Sequence, residues 1–117
     1  MVEVSLGAIM LRAPPGGIMK SVMHQKDGTC YLCMLLNQDY GPKQVEEHHC
    51  IYGSARRILS ETYGLKVYLC PEHHRTGKNA VHQNSEISDL VKKKAQEAFE
   101  REYPQLNFFN IFGKNYK

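Results

Sequence analysis

Four residues constrain this chain more than any others: Cys30 and Cys33, spaced C-x2-C, and Cys70 and His73, spaced C-x2-H. A two-residue gap lets a tight turn aim both side chains at one ion, and a second such pair completes a tetrahedron. Three cysteines and one histidine are an accepted structural zinc set. The 36 residues between Cys33 and Cys70 then form a loop closed by metal, and binding energy becomes folding energy. A chain of 117 residues is one small domain, and small domains often lean on metals or disulfides. Two other readings of the cysteines stay open. Cys30 and Cys33 could be buried apolar thiols, or Cys50 could replace His73 in an all-cysteine site. Cys50 lies in a strand-like run directly after His49, which suits a buried thiol better. A redox C-x2-C needs a βαβ context that this chain lacks.

Four Cys and six His are the unusual part of the composition. No basic segment precedes Val2 to Leu11 and no small-residue cleavage site follows, so a reducing, cytoplasmic setting is expected. In that setting C-x2-C reads as metal before disulfide. No apolar run approaches the ~20 residues of a membrane-spanning helix, so no membrane association is expected. The net charge of +3, from 15 Lys+Arg against 12 Asp+Glu, permits nucleic acid as a partner without requiring it.

The expected elements are short. Val45 to Tyr52 is strand-like and Gly53-Ser54 ends it. Ala55 to Tyr63 places Ile58, Leu59 and Tyr63 at helical spacing, with Gly64 as the stop. Lys66 to Leu69 reads as a second strand, and Pro71 suits the first turn of a helix or knuckle. Asn37 to Lys43 is a turn and Thr76 to Asn79 a break. Ser85 is the expected N-cap of a helix. Behind it Ile87, Leu90, Val91, Ala95, Ala98 and Phe99 form an apolar stripe, interrupted by Lys94 and ended by Pro104.

Once zinc takes His73, a second group of histidines remains: His48, His49, His74 and His82. His48 and His49 are adjacent on a strand, so their side chains point to opposite sides. One can bind metal while the other serves as a general base. On one helix, His74 and His82 would be separated by about 12 Å of rise. Either a break at Thr76 to Asn79 brings His82 back, or only one of the two is a ligand. His24, alone, reads as an ordinary exposed or hydrogen-bonded side chain.

Glu47-His48-His49, Leu69-Cys70-Pro71-Glu72-His73-His74 and His82 together resemble the HNH endonuclease family. The resemblance covers Cys30 to His82. It is closest to phage and prophage members, including the recombination-enhancement nucleases, and Gly53 to Arg57 also look like that subgroup. It implies an α+β class with a small ββα-metal, treble-clef-like fold stapled by zinc and followed by a C-terminal amphipathic helix. It implies metal-dependent hydrolysis of DNA phosphodiester bonds, leaving a 5′-phosphate. By position, His48, His74 and His82 hold the catalytic divalent ion (Mg, Mn, Ni or Zn), and His49 is the base. Many relatives have an Asn shortly before the Leu-Cys, whose amide helps fix that base. Gly64 to Tyr68 contains none, so a backbone carbonyl or another side chain must orient His49.

Arg56, Arg57, Arg75 and Lys78 flank this region and are the candidate phosphate contacts. Lys92-Lys93-Lys94 reads as the solvated face of a helix, with Glu97, Glu100 and Glu102 as partners. Phe108, Phe109, Phe112 and Tyr116 read as a tail that folds over the core, stacking on single-stranded bases being the alternative.

The expected organisation is a segment 1–18, a zinc and nuclease unit 19–84, and a helix and tail 85–117. Gly16-Gly17 is encodable as GGAGGN, which resembles a bacterial ribosome-binding site. Met19 or Met23 is therefore the expected natural start, with a flexible arm as the alternative. The expected setting is the bacterial cytoplasm, and phage recombination or packaging proteins are the expected further partners. The rivals are a non-catalytic zinc-knuckle DNA-binding module and a phage accessory protein stapled by zinc. Neither has a use for the second histidine cluster.

Overall fold

The computed structural model describes residues 19–117, and the leader reading for 1–18 lies outside them. The first element among the described residues is a helix, α1 (Tyr31–Asn37), where sequence suggested only a knuckle running into a turn. Cys30 is its N-cap, and its sulfur accepts from the Cys33 amide at 3.4 Å. Met34, Leu35 and Leu36 are good helix formers, but two turns are too short to show periodicity.

Strand β1 (Glu46–His49) pairs antiparallel with β2 (Lys66–Leu69), Glu46 opposite Leu69 and His49 opposite Lys66. β1 is shorter than the expected 45–52. The Ser60 hydroxyl takes both backbone groups of Ile51, accepting from its N–H at 2.9 Å and donating to its carbonyl at 2.8 Å. That draws the chain off the sheet and into α2 (Ser54–Tyr63). Leu59, Ser60 and Tyr63 face inward, while Ile58 is 67% exposed. Gly64 ends α2 with φ +70°, and a Cβ there would lie 2.5 Å from the Lys20 carbonyl. Only glycine suits both demands.

A π-helical turn (Glu72–Thr76) follows β2. The long helix α3 (Ser85–Glu102) starts one residue before expectation: Asn84, not Ser85, is the cap, accepting from the Glu86 and Ile87 amides. Either side chain can cap; Asn84 is the one in extended backbone. The tail forms α4 (Phe108–Phe112). Phe108 and Phe112 are buried and stack at 4.4 Å, while Phe109 is 52% exposed. The core reading of the tail therefore holds for two of its three phenylalanines.

The result is a small α+β fold with a two-stranded antiparallel sheet. One core joins Cys30, Leu32, Ile51, Leu65, Val67 and Leu69 to Val91, Ala95, Phe99, Phe108 and Phe112. No helix among the described residues is long and apolar enough to cross a membrane.

Candidate metal centres

Cys30, Cys33, Cys70 and His73 are all buried, and their ligand atoms lie within 4.8 Å of one another. His73 Nδ1 is 3.6 Å from Cys30 Sγ, 3.4 Å from Cys33 Sγ and 3.5 Å from Cys70 Sγ; the Cys33 and Cys70 sulfurs are 3.9 Å apart. A tetrahedral zinc with bonds of about 2.3 Å to sulfur and 2.0 Å to nitrogen has S···N edges of about 3.5 Å and S···S edges of about 3.8 Å. These four separations match those edges, and the four side chains are close enough to hold a metal ion. Cys50 lies outside this group, fully buried, with its thiol 3.7 Å from the Met23 sulfur.

A second cluster forms on the other side of the π-helical turn. The rings of His48, His74 and His82 make a near-equilateral triangle, with centroids 4.9 to 5.2 Å apart. Their ligand nitrogens also lie within 4.8 Å of one another. His48 comes from β1, His74 from the π-helical turn and His82 from the loop beyond it. The predicted break brings His82 back: the Val81 and His82 amides donate to the carbonyls of His73 and His74.

Gly77 makes that return. Its amide donates to the Glu72 carbonyl at 2.8 Å, and a Cβ would stand 2.7 Å from Glu72 Cγ and 2.8 Å from Glu72 O. Gly77→Ala should cost about 1–3 kcal/mol and displace His82. Metal titration would then show weaker binding at the three histidines with the Cys3His site still loaded. Unchanged affinity at both sites would refute this.

The cluster is open on one side. His48 is buried, His74 half-buried and His82 exposed. Burial, then the neighbouring His74 and His82, pushes the His48 ring down to about 3, so it is neutral at physiological pH, as a metal ligand must be. His74 Nδ1 bonds to Glu46 Oε1 at 2.7 Å, which leaves Nε2 for an ion. The Arg75 guanidinium, and then His74, hold the Glu46 carboxyl down at about 2.

No family model, curated protein or solved structure matches this chain.

The opposite side of β1 carries His49, as strand alternation requires. Its Nε2 bonds to Glu61 Oε1 at 2.7 Å. Glu61, on α2, is thus the side chain that holds the His49 ring. No local spacing in the sequence links it to His49, 12 positions earlier. Burial works against the Glu61 carboxylate, but bonds from His49, Lys66 and the Met19 amide outweigh it and hold it below its ordinary value.

The four candidate phosphate contacts divide. Arg56 donates to the Phe112 carbonyl at 3.1 Å and fastens α2 to α4. Arg75 grips Glu46 through Nε and Nη2, supporting His74 from behind. Arg57 and Lys78 make no ion pair among the described residues. Lys92 is a cation that sequence placed on a solvated face. It lies over the Tyr52 ring at 4.7 Å, and Tyr52 packs edge-on against both His48 and His82. His24 is buried, accepting from the Tyr68 amide through Nδ1.

Proposed function

We propose that this chain is a metal-dependent endonuclease of the HNH type that hydrolyses DNA phosphodiester bonds. One observation carries the reading: a partly exposed set of three histidines, supplied by three separate elements, beside a closed Cys3His set. Structural zinc sites fill all four positions with protein, whereas catalytic sites keep a position open. A pure staple needs only the first set.

His48, His74 and His82 would hold a divalent ion, which when bound polarises a phosphoryl oxygen as a Lewis acid. His49 takes a proton from water as the water oxygen bonds to phosphorus and the P–O3′ bond breaks; the leaving oxygen collects a proton from solvent. Arg57, Lys78 and Lys92 supply salt-sensitive attraction for the strand. Glu46 and Arg75 fix His74.

Plasmid nicking scanned over Mg, Mn, Ni and Zn tests this. Wild-type protein should nick with at least one metal. His48→Ala should abolish nicking, and His49→Ala should lower it roughly 10²–10⁴-fold, both with the fold and structural zinc retained. No nicking with any metal, from zinc-loaded protein, would shift the reading to a non-catalytic DNA-binding module. A misfolded His49→Ala protein would count against the role given to His49.

A further inference from the structure

We propose that Glu61 is the positioning residue for His49, holding its ring in the tautomer that leaves Nδ1 free to accept a proton, and that Lys66 locks Glu61 in place. The chemical use of that nitrogen rests on the nuclease reading; the positioning itself does not.

A carboxylate only accepts hydrogen bonds. Glu61 Oε1 at 2.7 Å from His49 Nε2 therefore requires the proton on Nε2 and leaves the Nδ1 lone pair open. Glu47 Oε1 is 4.0 Å from the same nitrogen, too far to compete. The His49 side chain is only 9% exposed, so water cannot readily replace Glu61 as its partner.

Glu61 is itself held at both oxygens. Lys66 Nζ lies 3.1 Å from Oε1 and from Oε2, and the Met19 amide donates to Oε2 at 2.9 Å. The Lys66 side chain is fully buried. A buried ammonium must be paired, and among the described residues the ionic partners of Lys66 are Glu61 and, at 3.0 Å, Glu47. Lys66 is directly opposite His49 in the β1–β2 ladder. The sheet register therefore delivers the lysine, the carboxylates and the imidazole to one place.

Glu47, His49 and Glu61 also bring their ligand atoms within 4.8 Å of one another. That is not a third metal site. The Lys66 ammonium already sits on both carboxylates, and an added cation would meet a buried positive charge.

The test uses the zinc-loaded full chain and two readouts. Long-range ¹H–¹⁵N NMR of the wild type should show His49 as the Nε2–H tautomer. Glu61→Gln, which leaves Lys66 with Glu47 as its ionic partner, should lower the melting transition but keep the fold and the zinc content at the temperature of measurement. It should also populate both tautomers and lower kcat for nicking about 10–100-fold, with KM changed less than twofold. In a His49→Ala background the same substitution should cost less than a further twofold. An Nδ1–H tautomer in the wild type, or an unaltered tautomer in Glu61→Gln, overturns the proposal. So do equal losses from Glu61→Gln with and without His49. If the tautomer responds as expected but the wild type cuts no DNA with any metal, the nuclease reading fails and the positioning pair stands.

Discussion

Stripping the ion from Cys30, Cys33, Cys70 and His73 is expected to unfold the chain, not merely loosen it. Structural zinc sites bind with about 10–16 kcal/mol in small peptides near neutral pH. Whole small domains are stable by only about 5–15 kcal/mol. The ligands join Cys30 at the start of α1, Cys33 within it, Cys70 just after β2 and His73 in the π-helical turn. Those elements are four to seven residues long, too short to hold their shape alone. The metal-free site would also crowd three thiols around one imidazole. Burial, and then Cys30, pushes the Cys33 thiol up to about 12, so without metal Cys33 stays protonated. Loading must therefore release protons, and affinity falls as pH falls. Circular dichroism melts with a strong chelator should lose the cooperative transition, zinc should restore it, and stripping should become easier below neutral pH. Cys33→Ser should behave like the stripped protein. Cys50→Ser, which leaves the ligand set intact, should cost about 1–2 kcal/mol and keep zinc. A cooperative melt at zero metal content would end the zinc argument.

The groups that could hold a metal ion were legible because spacing encodes them. C-x2-C and C-x2-H announce a shared ion before any fold is known. Likewise, adjacent His48 and His49 on a strand must part to opposite sides, and they do. Gly77 was legible as a break, and it is the residue that lets His82 return. The supporting residues were not legible. Glu46 reaches His74 across 28 positions, and Glu61 reaches His49 across 12. A carboxylate carries no local signal of which imidazole it will meet. Arg56 and Arg75 looked free for the same reason: sequence reports a charge, but not that a Phe112 carbonyl or a Glu46 carboxylate already holds it. Lys93 is exposed and Lys94 meets Glu97 as a solvated face requires, but helical periodicity cannot see that the Lys92 ammonium lies over the Tyr52 and Tyr116 rings. In each case the missing information is a long-range contact, set by how α2 and α3 dock on the sheet.

That docking rests on Phe99, and Phe99→Ala is expected to cost about 3–5 kcal/mol. The ring is fully buried. It meets Tyr63 of α2 at 5.3 Å, Tyr103 at 5.2 Å, and Phe108 and Phe112 of α4 at 5.3 and 5.9 Å. A void there closes poorly, because its walls are stiff rings held from three directions: Phe108 and Phe112 stack on each other, and the Tyr63 carbonyl is tied to the Tyr103 hydroxyl. The loss would sit at the upper end for a buried phenylalanine. Phe109→Ala is the control; half-exposed on the same helix, it should change stability by less than about 0.5 kcal/mol. The effect should also reach the histidine cluster. α3 presents Ser88 to the Tyr52 hydroxyl at 3.0 Å and Lys92 to the Tyr52 ring, and Tyr52 packs on His48 and His82. A loosened α3 should therefore weaken metal binding at the three histidines before the Cys3His site responds. Urea melts paired with metal titration would follow both. A Phe99→Ala protein no less stable than Phe109→Ala would mean that residues 85–117 do not dock on the zinc unit, and Tyr52 and Lys92 would lose their place beside the three histidines.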